Sequence, residues 1–360
     1  MRIVSEAELR PAIAAIFEAA GSAPEEARIV GDHLVDANLV GHESHGVIRV
    51  AKYLGWLAEG GVTPDRHARV VVDTGPLVAV EGDGGYGQVI AAEAMAIGLE
   101  RVRTHGMAAV ALRDAGHVGR IGAWAEMAAD AGILSLHFVN TSGFGILVAP
   151  FGGSDRRLSA NPIGAGIPVP GRPPVILDIA TSIVAEGKIQ VARNKGANLP
   201  EGAMLDGAGR PTRDPEAFYA DPPGAILPFG GHKGSGLSFV TEVLAGSLTG
   251  GGSSHPDHPT AHRLVNSMMT VLFDPAVFSD PKTYAEDVGR LVDWVTASPP
   301  AEPGGTVLLP GDPERALRAE RRAKGIPLDP VTIDQILAAA ASVGASDRAE
   351  LACLSTGDAA

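Results

Sequence analysis

Residues 81–87 read Glu-Gly-Asp-Gly-Gly-Tyr-Gly (EGDGGYG), which places a G-x-G-x-x-G at Gly82, Gly84 and Gly87. An apolar run, LVAV (77–80), precedes it, and a helical pattern, QVIAAEAMAIGLERV, follows. A second apolar run, MAAVAL (107–112), leads to Asp114, 27 positions after the last glycine. A dinucleotide fingerprint carries its acid about 20 positions on. Taken alone, the stretch predicts a Rossmann-type dehydrogenase with its cofactor on Gly82, Gly84 and Gly87.

Outward from this point the texture is mixed. ARVVVD and PLVAVEG read as strands, followed by a helix (88–104), a strand (107–113), a helix (119–131) and a strand (133–139). Strand–helix alternation of this kind signals an α/β layer. PPVILDIA (173–180), MMTVLF (268–273) and TVLLP (306–310) read as further strands. SGLSFVTEVLAGSLTG (235–250) reads as a long helix. The first sixty residues are helical, opening with Ser5 and Glu8 in capping-box spacing, and helices recur near 312–324 and 331–343. The expectation is a helical subdomain built from residues 1–66 with about 275–360, and a mixed-sheet domain over 67–274.

The charge is −13, and the basic run RALRAERRAK (315–324) is interleaved with Glu314 and Glu320, so nucleic acid is an unfavourable partner. Cys353 is the single cysteine, which excludes an intrachain disulfide and a cysteine metal cluster. Neither a signal-peptide pattern nor an apolar run of membrane-spanning length is evident, so the expectation is a cytoplasmic protein without a membrane partner.

Four segments could carry chemistry. In GHESHG (41–46), Ser44 and His45 are followed by Arg49, so a general acid and a carboxylate fork would share a helix face. In RDAGHVGRIG (113–122), His117 precedes Gly119, Arg120, Ile121 and Gly122 at a strand-to-helix turn. In LDIATSIVAEGK (177–188), Asp178 closes a strand, and Thr181 and Ser182 could cap the next helix; Asp178 could orient a histidine or simply cap. PFGGHKGSG (228–236) sets His232 and Lys233 among four glycines before a helix, an anion cradle without P-loop spacing. HPDHPTAH, with His255, His258 and His262, and HESH, with His42 and His45, leave a metal-dependent hydrolase as an alternative. The prolines in the former argue instead for a surface loop without metal.

Together these segments, with NPIGAGIP (161–168), LPEGAMLDGAGRPTRDP (199–215) and LPGDPE (309–314), resemble the malate/L-lactate dehydrogenase family of the second type. The likeness runs in order through nearly the whole chain and is greatest to the branch called hydroxycarboxylate dehydrogenase B. The resemblance implies a fold other than Rossmann, a homodimer, and NAD or NADP as cofactor for the interconversion of small 2-oxo and 2-hydroxy acids. It implies His45 as proton donor, Ser44 and Asp178 as the relay around it, His117 in the active-site turn and Arg49 on the substrate carboxylate. Cofactor contacts would fall on His45, Gly119, Arg120 and Ile121, on Asp178, Ile179, Ala180, Thr181 and Ser182, on His232 and Lys233, on Asn266, and on Gly311, Asp312 and Pro313. The chain departs from the usual family pattern at Asp114-Ala115 and at Ala160, positions that bear on substrate identity.

Overall fold

A computed structural model describes residues 1–194, 196–258 and 263–355. The chain opens with a short strand, β1 (Arg2–Val4), then α1 (Glu6–Ala19), α2 (Pro24–Leu39) and α3 (Arg49–Ala58). The expected capping box is present: Glu8 N–H donates to the Ser5 hydroxyl and Ser5 N–H to the Glu8 carboxylate, both at 3.3 Å. The apolar faces of α1 and α2 bury Ile13, Ile16, Phe17, Val30 and Leu34 against each other.

The sheet begins with β2 (Arg69–Asp73) and β3 (Leu77–Glu81). Next come α4 (Gly87–His105), β4 (Met107–Ala115), α5 (Gly122–Asp130), β5 (Leu134–Gly143), β6 (Ile163–Ile167) and β7 (Val175–Ile179). After α6 (Glu186–Asn194) a small three-stranded sheet forms from β8 (Met204–Leu205), β9 (Pro211–Thr212) and β10 (Ala225–Ile226). Helix α7 (His232–Thr241) continues as a π-helical turn over Glu242–Ser247, and β11 (Leu264–Phe273) completes the main sheet.

That sheet has seven strands in the order β2-β3-β4-β11-β5-β6-β7. Its one parallel pair is β3–β4, which flanks the glycine stretch; the other neighbours are antiparallel. Helices α4 and α5 cover one face over a core that includes Val80, Ile90, Met95, Val110, Leu112 and Trp124.

The chain continues through α8 (Pro275–Phe278), α9 (Pro281–Thr296), α10 (Asp312–Lys324), β12 (Ile326–Leu328) and α11 (Pro330–Ser342). β12 pairs with β1, and one apolar core joins the N-terminal helices to Ile326, Leu328, Ile333 and Ile336. Helix α9 lies instead beside the β6–β7 connection, with Tyr284 donating to the Pro168 carbonyl and Arg172 paired with Asp293.

Three local expectations need correction. TVLLP (306–310) is not a strand: Pro310 has no N–H, its carbonyl makes one bond to Ile176 N–H, and Leu309 N–H turns to the Asp312 carboxylate. Helix α7 starts at His232, so His232 and Lys233 form its first turn rather than a preceding loop. Thr181 and Ser182 do not cap α6; their hydroxyls donate to the Ala160 and Val184 carbonyls.

Candidate active site

His45 ends a single 3-10 turn, Glu43–His45, and Arg49 begins α3, so the two do not share one α-helical face as the i, i+4 spacing suggested. Asn38 fixes this turn, its Oδ1 accepting the Val47 N–H at 2.7 Å. A β-carbon at Gly46 would stand 2.1 Å from that oxygen, so only glycine lets the chain pass so close. The Arg49 Nε donates back to the Ser44 carbonyl at 2.5 Å.

The facing wall is the turn between β4 and α5. Gly119 takes φ +77°, and a β-carbon there would meet His33 Nε2 at 2.1 Å. That nitrogen accepts the Arg120 N–H at 2.9 Å, the Asn266 Oδ1 accepts the Val118 N–H at 2.9 Å, and Trp124 Nε1 donates to the Val118 carbonyl. Burial, with Arg120 beside it, pushes the His33 imidazole down to about 3, so it stays a neutral acceptor.

Between these walls lies a cleft with about 860 Å³ of empty space, its solvent mouth included. Ser44, His45, Arg49, His117, Gly119, Ile121, Ala180 and Asn266 all border it. Phe144, Leu147 and Leu264 supply apolar wall, and Asn161 borders the cleft with a buried Oδ1 that has no hydrogen-bond partner.

His45 and His117 face each other with ring planes 3° apart and centroids at 5.2 Å, and His45 Nδ1 lies 3.3 Å from His117 Nε2. Behind them Tyr53 Oη is 2.6 Å from His117 Nδ1 and accepts Gln88 Nε2 at 2.7 Å. Burial first, then the nearby Arg49 charge, holds both imidazoles well below their ordinary value and therefore neutral.

A family model described as malate/L-lactate dehydrogenase matches residues 4–337. The chain belongs to this family. Hydroxycarboxylate dehydrogenase B of Escherichia coli K12 is 40% identical over 334 residues, 92% of each chain, which bears out the branch that the sequence resembled. L-lactate dehydrogenase of Cupriavidus necator is 41% identical over 292 residues, 81% of this chain and 84% of that one. The solved structure of an E. coli protein assigned as a malate/lactate dehydrogenase superposes with a TM-score of 0.92 at 39% identity, covering 98% of both chains.

Set against the residues that the family resemblance singled out, the structure gathers some and separates others. The expected pairing of His45 with Asp178 is corrected: His45 meets His117, while Asp178 Oδ2 accepts the Gly122 N–H at 2.8 Å and lies 3.8 Å from His42 Nδ1. Asp178 thus caps α5, because β7 ends beside that helix start. Arg120, 2% exposed, turns from the cleft to Glu126 at 2.7 Å. His232 and Lys233 are exposed at the start of α7. Gly311, Asp312 and Pro313 open α10, where Asp312 pairs with Arg315.

Three backbone donors of the glycine stretch are engaged within the protein. Gly82, Gly84 and Gly85 give their N–H groups to the Arg113, Asp114 and Gly82 carbonyls. Among the described residues no three His, Cys, Asp or Glu side chains gather as metal ligands would. His255 lies beside Asp257, and His262 falls outside the described residues. Tyr53, Gln88, Asn161 and His33 escaped the sequence reading because each sits inside an ordinary helical or strand-end pattern. Tyr53 alone carried a signal, standing one helical turn after Arg49.

Proposed function

We propose that this chain is an NAD(P)-dependent dehydrogenase interconverting 2-oxo acids and 2-hydroxy acids at the cleft between His45 and the 117–121 turn. The observation that carries the reading is the shared cleft itself, with an imidazole, a guanidinium and apolar wall facing one space. His45 meets the substrate oxygen and acts as proton donor, and Arg49 takes the carboxylate. Arg49 is the one Arg or Lys among the described cleft residues, and Phe144, Leu147 and Leu264 favour a substrate with an apolar remainder.

A nicotinamide dinucleotide fits the donor set: the apolar slot suits a flat ring, and the partnerless Asn161 Oδ1 can accept an amide N–H. When bound, the cofactor supplies or takes up the hydride. Gly119, Ile121, Ala180 and Asn266 border its place in the cleft, and the rest of Asp178–Ser182 is the flanking segment that the family resemblance assigns to it. His232 and Lys233, on the positive end of α7, suit its phosphates, with Gly311–Pro313 as a further contact.

The Rossmann alternative is set aside in this reading because Gly82, Gly84 and Gly85 spend their amides on protein carbonyls and the stretch borders a sheet with one parallel pair. The apolar core shared by both chain ends supports a helical subdomain beside the sheet domain. A homodimer, which the family resemblance implies, is part of this reading, and the exposed Phe239, Val240, Val243 and Leu248 offer it an apolar face.

The test is oxidation of NADH and NADPH by the purified chain with pyruvate, phenylpyruvate, oxaloacetate and 2-oxoglutarate. Turnover is expected, faster with the monocarboxylates. His45→Ala is expected to lower kcat by about 10²–10⁴-fold with cofactor affinity unchanged. Absence of turnover with every acid, or full activity of the variant, overturns the reading.

A further inference from the structure

Four side chains from separate parts of the sequence form one hydrogen-bonded file ending at the cleft. Gln88, fully buried on α4, donates Nε2–H to Tyr53 Oη on α3 at 2.7 Å. With that lone pair taken, Tyr53 turns its O–H to His117 Nδ1 at 2.6 Å. His117 then carries its proton on Nε2 and gives it to His45 Nδ1 at 3.3 Å. His45 is left in the Nε2–H tautomer, the form that can donate to a substrate oxygen. Each bond fixes the polarity of the next, and the file begins at a group that only donates in this orientation.

We propose that this file is a proton relay in which Tyr53, acting through His117, resupplies the proton that His45 gives to the substrate, with Gln88 setting its direction. The proposal rests on His45 being the proton donor of the function proposed above. A neutral imidazole that lost its only N–H would become an imidazolate, so His45 needs a second proton at the moment of transfer. Reduction of the carbonyl leaves an alkoxide oxygen. The His45 Nε2–H bond breaks as O–H forms, the His117 Nε2 proton moves to His45 Nδ1, and the Tyr53 proton moves to His117 Nδ1.

Three bonds to hydrogen break and three form. Both imidazoles end neutral in the opposite tautomer, and Tyr53 ends as a phenolate that accepts the Gln88 N–H. Burial pushes the Tyr53 phenol up and the Arg49 charge and the Gln88 N–H draw it back, but an aliphatic alkoxide is a stronger base still, so the shift runs downhill. After product leaves, water returns one proton through His45. Burial keeps both rings neutral, as a relay through neutral imidazoles requires. Tyr53 and Gln88 touch no substrate; they are positioning and relay residues.

Tyr53→Phe removes one oxygen and retains the ring contacts with Phe17, Trp56 and Tyr86. Its kcat for reduction is expected to fall about 10²-fold or more while KM for the acid stays within about threefold. In mixed light and heavy water, wild-type kcat is expected to respond as a bowed curve, reporting several moving protons, and the variant along a straight line. Nitrogen-15 spectra of labelled histidine are expected to show His45 and His117 as Nε2–H tautomers in the wild type. In Tyr53→Phe, and in Gln88→Met as a second variant, tautomer mixtures are expected. The spectra need no substrate, so they test the relay even if the wild type reduces no 2-oxo acid, the separate failure of the proposed function. Wild-type His117 protonated on Nδ1, or Tyr53→Phe with wild-type kcat and the same bowed response, overturns the relay.

Discussion

A β-carbon on Gly87 would lie 2.3 Å from the Gly116 carbonyl oxygen and 2.4 Å from the His117 carbonyl carbon. Both neighbours are backbone, so neither can rotate aside, and the strain falls on the turn that carries His117. Gly87→Ala is expected to cost about 1–3 kcal/mol by overpacking and to lower turnover more than it weakens cofactor binding. Urea denaturation and steady-state kinetics measure the two effects; an unchanged midpoint with full activity would contradict the contact. The same residue shows why EGDGGYG misleads. A phosphate cradle and a close backbone crossing both require the absence of a side chain, and a local pattern cannot tell which partner approaches. His45 and Arg49 were legible as cleft residues from their chemistry and from the family resemblance, although the shared helix face that their spacing suggested is absent. The His45–His117 contact was not legible, since it joins positions 72 residues apart through folding alone.

Single elements were easier to read where a terminus has its own chemistry. Ser5 with Glu8 marks the start of α1 correctly because both partners lie within one turn. TVLLP misled because β propensity says nothing of whether a neighbouring strand can accept a ladder, and Pro310 blocks one. Helix α11 permits a quantitative test: Asp329 accepts Thr332 N–H at 2.9 Å and its hydroxyl at 2.6 Å. Burial alone would raise this carboxyl, but those bonds outweigh it and hold it below its ordinary value. With the folded value depressed, the cap's stabilisation is present above the ordinary carboxyl range and is lost as pH falls through the folded value. Asp329→Ala is expected to cost about 1 kcal/mol near neutrality and progressively less in acid. Thermal melts across pH give the comparison, and a penalty that does not shrink on acidification would argue against the cap.

Across the whole molecule, the ends of the chain meet and then reach back to the sheet. Helical texture at both ends made their association readable, whereas the pairing of β1 with β12 was not, since each strand is three residues long. One link from the C-terminal helices to the sheet layer passes through Glu126 on α5. One carboxylate oxygen receives Arg120 at 2.7 Å from the cleft turn and Arg318 at 2.9 Å from α10. Arg120 was expected to face the cofactor; its guanidinium instead ties the turn that borders the cleft to the C-terminal helix. Burial alone would raise the Glu126 carboxyl, but the two guanidinium groups hold it below its ordinary value. Glu126→Gln leaves Arg120 buried without its counter-charge and is expected to cost roughly 2–3 kcal/mol, less than breaking a fully buried pair because Glu126 keeps some contact with water. The folded-state value is depressed, so the contribution is complete above the ordinary value and disappears as pH falls through the folded one. Wild-type and variant denaturation curves should therefore stand apart near neutrality and converge in acid. Because Arg120 is nearly inaccessible, added salt should narrow the gap only slightly. A gap that collapses in moderate salt would mean that the three charges are solvated and that the cleft turn is held by His33 and Asn266 alone.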